Sequence, residues 1–209
     1  MNTIEKLKWR YATKKFNPTK KLSEKKLQLL KEAFNLTATS FGLQTISMVV
    51  VSNETLRETL VEHAYGQKQV LQASHLLVIC IQGDIQDLDV NTYYQNIRDI
   101  RNTPNDILDP YRNNLLTMME AKSVEERQQW SRNQAYIALG NLMTVCAIEG
   151  IDAIPMEGFI PEQFDRILNL QEYGLKSVLL LPVGYRAEDD MFADFKKVRK
   201  PIDEVIIEI

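Results

Sequence analysis

The chain has 209 residues, of which 44% are hydrophobic and 25% are charged, as is usual for a globular protein with a substantial core. Its net charge of −3 provides no general attraction to nucleic acid or to an anionic membrane, so a bound anion would need a local cluster of cations. These values predict one domain over residues 1–209 that binds neither nucleic acid nor membrane.

The first half of the chain contains alternating helix and strand signals. Apolar spacing and capping residues predict three helices and two buried strands. They are a helix that ends near Trp9, a helix capped by Ser23, a strand over 48–51, a helix from Asn53 to about His63, and a strand over 76–81. Between the second helix and the first strand lies a loop of small residues over 37–44, in which Gly42 permits an unusual backbone conformation.

The stretch 84–122 is polar, with weak helical periodicity and interruptions at Pro104 and Pro110. We expect it to form a helical excursion from the main fold. A much stronger helix follows. Ser123 and Glu126 form a capping-box pattern, and Gly150 is placed to end the helix in a left-handed conformation.

Apolar residues cover most of the circumference of this long helix, which indicates a buried element. About 25 residues of helix extend roughly 37 Å. This length makes the helix a candidate for the centre of a subunit interface, and a core helix inside a monomer is the alternative.

The last part of the chain predicts a helix from Pro161, a strand over 178–181 and a basic patch over 196–200. The apolar residues 205–209 predict a terminal strand, which must add to the sheet of its own chain or to that of a partner. The fold class is therefore α+β, with a central mixed sheet wrapped by helices.

Several chemistries are disfavoured by the residue types present. Cys80 and Cys146 lie in apolar runs without metal-ligand spacing, which predicts buried thiols in a reducing compartment and no metal site. The two histidines, His63 and His75, accompany no nucleophile motif, and no Walker or dinucleotide glycine pattern is present. Because the N-terminus has no apolar signal region, we expect a cytoplasmic protein.

Two pairs of cations stand at opposite ends of the sequence. Arg10 precedes Lys14, and Lys197 precedes Arg199. Arginine suits bidentate contact with a phosphate group, and lysine adds a point charge. Each pair alone is more typical of a solvated surface.

Five segments together resemble the nitroreductase family of FMN-dependent oxidoreductases. They occur in the family's order along nearly the whole chain, with the stretch 84–122 outside the match. The segments are Arg10-Tyr11-Ala12-Thr13-Lys14, Thr39-Ser40-Phe41-Gly42-Leu43-Gln44, Gly66-Gln67-Lys68-Gln69 with Ala73-Ser74-His75, Pro155-Met156-Glu157-Gly158, and Lys197-Val198-Arg199 with Pro201.

The resemblance implies that FMN is the cofactor and that residues of all five segments bind it. Arg10, Lys197 and Arg199 would hold the phosphate. Lys14 would stabilise the negative charge of the reduced ring at its N1/O2 edge. The backbone of Glu157 and Gly158 would face N5 and O4. Phe41 is a candidate to contact the substrate at the mouth above the ring, and a position in the core is the alternative. The full predicted set is Arg10, Tyr11, Ala12, Lys14, Thr39, Ser40, Gln44, Gln67, Gln69, Pro155, Met156, Glu157, Gly158, Lys197 and Arg199.

The chain departs from the family at three places that bear on the flavin. Thr45-Ile46 stands where Pro-Trp is frequent, Ala12 replaces a frequent serine, and Gln69 replaces a common lysine. With one cation fewer near the pyrimidine, Lys14 carries more of the charge stabilisation. These differences bear on the flavin potential and the substrate preference. They do not alter the expectation that the protein binds FMN.

The resemblance further implies a homodimer with shared active sites and a C-terminal strand donated to the partner. The expected reaction passes hydride from NADH or NADPH through flavin N5 to a nitroaromatic or a quinone in ping-pong order, without a catalytic side chain. Tyr93, Tyr94 and Tyr111 of the 84–122 excursion are candidates to line the substrate mouth. Alternatives are a flavin-binding sensor or carrier, and a family member that performs dehalogenation or flavin breakdown.

Overall fold

The computed structural model describes residues 2–209, and their central feature is a four-stranded sheet. Its strands are β1 (Ile46–Val51), β2 (His75–Gln82), β3 (Asp152–Ala153) and β4 (Leu175–Gly184), in the order β1-β2-β4-β3. All three strand pairs are antiparallel, so the prediction of a mixed sheet is wrong for the strands of this chain. Hydrophobic runs indicate buried strands but carry no information on their relative direction, which is set by the connections between them.

Helices surround the sheet and contain more residues than the strands do. They are α1 (Thr3–Trp9), α2 (Glu24–Asn35), α3 (Glu54–Glu62), α4 (Gln69–Gln72), α5 (Asp87–Arg101), α6 (Asn105–Glu120), α7 (Val124–Ile148), α8 (Pro161–Ile167) and α9 (Ile202–Val205). The predicted caps are confirmed, since Ser23 accepts the Lys26 N–H at 3.3 Å and Asn53 accepts the Leu56 N–H at 2.9 Å. The α+β class is confirmed as well.

The long helix α7 has the predicted boundaries. Ser123 Oγ accepts the Glu126 N–H at 3.2 Å, and Glu126 accepts the Ser123 N–H at 2.8 Å. Gly150 has φ +64°, the left-handed conformation expected at the end of the helix. The helix is not buried all round, however, because Tyr136 and Ile137 are exposed.

Apolar side chains fill both faces of the sheet. One cluster joins Leu77, Leu179 and Leu181 to α2 and α7, and the opposite cluster joins Leu76 and Leu180 to α3 and α8. Alternate residues of β2 and β4 thus enter different cores, as the strand period requires. Both central strands are therefore covered on two sides.

Residues 84–122 form two helices, α5 and α6, which supports the predicted helical excursion. They enclose a third apolar cluster that includes Leu115 and Met119. Arg127 joins this unit to α7, because its guanidinium donates to both carboxylate oxygens of Asp84 at 2.6 and 3.0 Å.

The C-terminal residues differ from the predicted terminal strand. Ile202–Val205 is the short helix α9, and residues 206–209 pair with no strand of the described chain. Ile207 is 82% exposed. Donation of this tail to a partner remains a prediction. Across residues 2–209, no helix combines the length and the apolar composition that crossing a bilayer would require.

Candidate functional site

The two cationic pairs at opposite ends of the sequence contribute to one cluster. Arg10 follows α1, and its carbonyl oxygen accepts a hydrogen bond from Lys197 Nζ. Partial burial lowers the pKa of Lys197, and the positive charges of Arg10, Arg199 and Arg186 lower it further. Burial likewise lowers the pKa of Arg10, with a contribution from Arg199. The fold therefore concentrates positive charge at one place in an acidic protein.

Three of these cations lack an acidic partner in the part of the chain that the structure describes. Within residues 2–209, no ion pair involves Arg10, Lys197 or Arg199. Cations gathered without carboxylates repel one another, so an anion that binds between them is stabilised. A phosphate group, with a charge near −2 and oxygen acceptors only, suits this donor set. The residues present therefore fit the phosphate of FMN.

Arg186 is a further member of the cluster that sequence reasoning missed. Its Nε donates to Asp152 Oδ1 at 2.8 Å, and its backbone N–H donates to Oδ2 at 2.8 Å. Nη2 lies 2.6 Å from Oδ1 and completes the ion pair. The guanidinium carbon lies 4.4 Å from the ring centroid of Trp9 and 4.5 Å from that of Tyr11. No local pattern marks Arg186, because its partners are far away in sequence.

The side chain of Tyr11 makes contacts within the protein. Its hydroxyl donates to Asp190 at 2.8 Å, and the backbone N–H of Lys14 donates to the same carboxylate at 2.9 Å. Burial and this hydrogen bond both raise the pKa of Tyr11 above its ordinary value. The Lys14 side chain is exposed. Asp190, too, was not singled out from the sequence.

The Pro155–Gly158 turn lies next to the Arg10 segment. Ala12 forms an isolated parallel bridge with Ala153 of β3, and the turn begins two residues later. Within the turn, Met156 is buried and bridges to Leu180 of β4, while Glu157 is exposed. Two of the predicted segments are thus brought together by backbone pairing.

Gln67 joins a third predicted segment to this turn. Its Nε2 donates to the Gly158 carbonyl oxygen at 2.8 Å and to the Ala64 carbonyl oxygen at 3.0 Å. A β-carbon at Gly158 would lie only 3.2 Å from that Nε2, so glycine allows the close approach. Gln69, the other predicted amide, is the first residue of α4.

The loop that carries Thr39, Ser40 and Gln44 contacts other elements. The Ser40 N–H donates to Gln134 of α7 at 2.9 Å, and Gln44 donates to the Asn35 carbonyl oxygen at 3.0 Å. Thr39 Oγ1 is buried without a partner among the described residues. No hydrogen bond within residues 2–209 joins this loop to the cation cluster or to the Pro155–Gly158 turn.

Phe41 lies at the tip of this loop and does not belong to the core. It is 50% exposed and has φ +57°, a strained conformation for a large side chain. Tyr93 of α5 packs on the neighbouring glycine so closely that a β-carbon at Gly42 would lie 2.3 Å from the Tyr93 hydroxyl. Of the other candidate mouth residues, Tyr94 is buried and Tyr111 is exposed.

The cysteines are poorly suited to nucleophilic catalysis. Both are free and buried, as predicted, and burial raises the pKa of Cys80 and of Cys146 to about 12. Thiolates would therefore be rare near neutral pH. A cleft of about 830 Å³ beside α8, lined by Asp165, Arg166 and Lys176 among others, contains none of the predicted cofactor residues.

Comparisons with known proteins identify the family of this chain. The sequence profile of the Nitroreductase family matches residues 7–185. The chain belongs to the nitroreductase family. YfkO of Bacillus subtilis (strain 168), provisionally named an NAD(P)H nitroreductase, is 33% identical over 212 residues, which cover 95% of this chain and 93% of YfkO.

Solved nitroreductase structures share the fold. YdfN of Bacillus subtilis superposes with a TM-score of 0.88 at 20% identity, covering 99% of this chain and 98% of YdfN. A nitroreductase from Exiguobacterium sibiricum 255-15, solved in complex with FMN, superposes with a TM-score of 0.85 at 19% identity, covering 100% of this chain and 98% of that one. At these identities the likeness establishes the fold alone.

Proposed function

We propose that this nitroreductase-family protein is an FMN-dependent oxidoreductase that uses NADH or NADPH to reduce a small oxidant such as a nitroaromatic or a quinone. The observation that carries the proposal is the cluster of Arg10, Lys197 and Arg199, which have no acidic partner among residues 2–209, beside the Pro155–Gly158 turn. The FMN complex of the Exiguobacterium relative and the nicotinamide in the name of YfkO support it.

In this proposal the protein binds and orients the cofactor with its own donors. Arg10, Lys197 and Arg199 hold the phosphate, and the backbone N–H groups of Glu157 and Gly158 donate to the reactive edge of the ring. Further contacts to the flavin come from Tyr11, Ala12, Lys14, Gln67, Gln69, Pro155 and Met156. When bound, FMN would supply the redox chemistry between the nicotinamide and the oxidant, while the residues of this chain hold and orient it.

The side chains supply electrostatics rather than covalent chemistry. Lys14 places a positive charge where the reduced ring becomes negative, which favours reduction. The raised pKa of both cysteines is consistent with a site that uses no thiolate. We therefore expect no acid or base whose removal alone abolishes turnover.

We also propose that the active protein is a homodimer in the cytoplasm, with each site shared between subunits. The loop with Thr39, Ser40, Phe41 and Gln44 would complete the site of the partner, which is compatible with its hydrogen bonds to Gln134 and Asn35 in its own chain. Phe41 would then contact the oxidant. The exposed apolar tail offers a second contact between subunits, through a donated strand.

The test is anaerobic reduction of the purified protein followed by absorbance. A yellow protein that bleaches with NAD(P)H and recovers its colour with a nitroaromatic or quinone supports the proposal. A colourless protein that cannot be reconstituted with FMN contradicts it. A yellow protein that never bleaches indicates a sensor or carrier, and one that bleaches but reduces neither acceptor indicates other flavin chemistry.

A further inference from the structure

The Arg10–Lys14 segment takes its conformation from the chain that follows β4. The Lys15 carbonyl oxygen accepts the Ala187 N–H at 2.9 Å, and the Asn17 N–H donates to the Tyr185 carbonyl oxygen at 2.8 Å. The segment contains no helix or extended strand of its own. Its shape therefore depends on partners far away in sequence, both in this part of the chain and, through the bridge between Ala12 and Ala153, in β3.

A single buried carboxylate lies at the centre of this contact. Asp190 is only 4% exposed. Its Oδ2 accepts hydrogen bonds from the Tyr11 hydroxyl at 2.8 Å, from the Lys14 N–H at 2.9 Å and from the Lys15 N–H at 3.1 Å. Its Oδ1 accepts the Phe192 N–H at 3.2 Å. Burial acts to raise the pKa of Asp190, but these hydrogen bonds outweigh it, and the pKa lies below its usual value.

The ring of Tyr11 also contacts Arg186, which lies in the same loop as Asp190. The Arg186 guanidinium lies 4.5 Å from the ring centroid and is itself fixed by Asp152, which is buried. Arg186 and Asp190 are four residues apart, so one loop contacts both the ring and the hydroxyl. Tyr11 thus ties the Arg10–Lys14 segment to this loop.

We propose that Asp190 is a positioning residue for the cofactor site: by holding the Arg10–Lys14 segment, it fixes Arg10 beside Lys197 and Arg199. The three cations are then arranged before the phosphate arrives, so less conformational freedom is lost on binding. This inference rests on the proposed FMN function. It assigns Asp190 no direct contact with the cofactor.

Simple electrostatics predicts the opposite effect of removing Asp190. A carboxylate near the cation cluster repels a phosphate, so Asp190→Asn should tighten FMN binding if charge alone matters. If Asp190 positions the segment, the same substitution should weaken binding, because an amide cannot accept three hydrogen bonds at one oxygen with the strength of a carboxylate. The sign of the change separates the two effects.

The neighbouring residue provides a matched control. The Asp189 side chain is 69% exposed and pairs with the Lys15 side chain. Asp189→Asn makes the same change of charge one residue away but leaves every hydrogen bond of Asp190 in place. Tyr11→Phe is an intermediate variant, since it removes one of those hydrogen bonds and keeps the ring beside Arg186.

The experiment titrates each apoprotein with FMN and with riboflavin and follows the quenching of flavin fluorescence. We expect Asp190→Asn to weaken FMN binding by about tenfold or more, and Tyr11→Phe to weaken it less. Asp189→Asn should bind FMN as tightly as wild type or more tightly. In Asp190→Asn and Tyr11→Phe, riboflavin should be affected less than FMN, because displaced Arg10 acts only on the phosphate, whereas Lys14 and Tyr11 act on the ring that both flavins share.

Two results would overturn the inference: Asp190→Asn binding FMN as tightly as Asp189→Asn, or Asp190→Asn weakening FMN and riboflavin by the same factor. The second pattern would indicate a general loss of structure. If Asp190→Asn does not fold, the Tyr11→Phe variant provides the test. The inference is overturned if Tyr11→Phe binds FMN as tightly as the wild-type protein does. A wild-type protein that binds no FMN contradicts the proposed function itself, whatever the variants do.

Discussion

At the scale of single residues, the phosphate cluster gives the most direct prediction. Arg199→Ala should weaken FMN binding by roughly 1.5–3 kcal/mol, the usual contribution of a charge-assisted hydrogen bond. Riboflavin has no phosphate, so its affinity should be nearly unchanged. The measurement is a fluorescence titration of the apoprotein with both flavins.

Lys200→Ala is the matched control for Arg199→Ala, because it removes an exposed charge from the adjacent position without touching a predicted ligand. It should have a small effect through long-range attraction alone. If Arg199→Ala weakens riboflavin and FMN by one factor, or if Lys200→Ala matches it, Arg199 does not bind the phosphate.

A second residue-scale prediction concerns pH and His75. Burial lowers the pKa of His75, the charges of Arg57, Lys21 and Lys31 lower it further, and Glu24 opposes them. The unfolded chain therefore binds a proton at a higher pH than the folded protein does. It follows that His75 reduces stability as the pH falls below the ordinary histidine value of about 6.5, and has no such effect above it.

Urea unfolding of wild type and His75→Asn at a series of pH values tests this expectation. Asparagine keeps a polar atom near Ser74, whose hydroxyl lies 2.9 Å from His75 Nδ1. The stability of wild type relative to the variant should decline from pH 7.5 to pH 5. A difference that stays constant over this range would show that His75 binds a proton equally well in both states.

Residues with a local signature could be found from the sequence, and those with distant partners could not. Arg10 and Lys197 stand in recognisable motifs, and the structure places them together. Asp190 and Arg186 could be identified only from their contacts in the structure. Asp190 contacts Tyr11 and Arg186 contacts Asp152, and both partners lie far away along the chain. A lone aspartate or arginine in a loop is otherwise typical of a solvated surface.

At the scale of secondary-structure elements, predictions that rest on local sequence signals were again the correct ones. Helix α7 was predicted at both ends because its caps lie within the chain segment itself. The two-residue strand β3 was missed, since it is too short to show alternation and exists only through pairing with β4. The antiparallel arrangement of the sheet is likewise a property of connections rather than of residue types.

The cap of α7 gives a prediction at this scale. Ser123→Ala removes one half of a capping box and should lower the free energy of unfolding by about 1 kcal/mol, within a usual range of roughly 0.5–2 kcal/mol. Ser52→Ala, at an exposed position outside any helix, is the control and should change stability much less. Equal urea midpoints for the two variants would show that the box contributes nothing to the folded protein.

At the scale of the whole molecule, two surfaces formed by residues 2–209 have no partner within those residues. The tail exposes Ile206, Ile207 and Ile209, and β1 is an edge strand of the sheet. A groove of about 540 Å³ runs along β1 and is lined by residues 47–51 together with part of the chain after α8. An open strand edge and an exposed apolar segment are each unfavourable in water, and a donated strand would remove both.

This arrangement predicts that dimer formation and flavin binding are linked. If residues 205–209 cross to the partner, deleting them should loosen the dimer. Because Thr39, Ser40 and Gln44 are proposed to complete the partner's site, the same deletion should release FMN. Conversely, FMN should stabilise the dimer of the intact protein by mass action, since it binds the assembled site more tightly.

Sedimentation of the truncated protein, with flavin absorbance followed in the same cell, measures both quantities together. A second variant, with 205–209 replaced by glycine and serine, keeps the chain length and the nearby Arg199 unchanged. Both variants should sediment more slowly and lose flavin at the same protein concentration. A truncated protein that stays dimeric and yellow would show that the tail holds neither subunit nor cofactor, and a monomer that retains flavin would exclude a shared site.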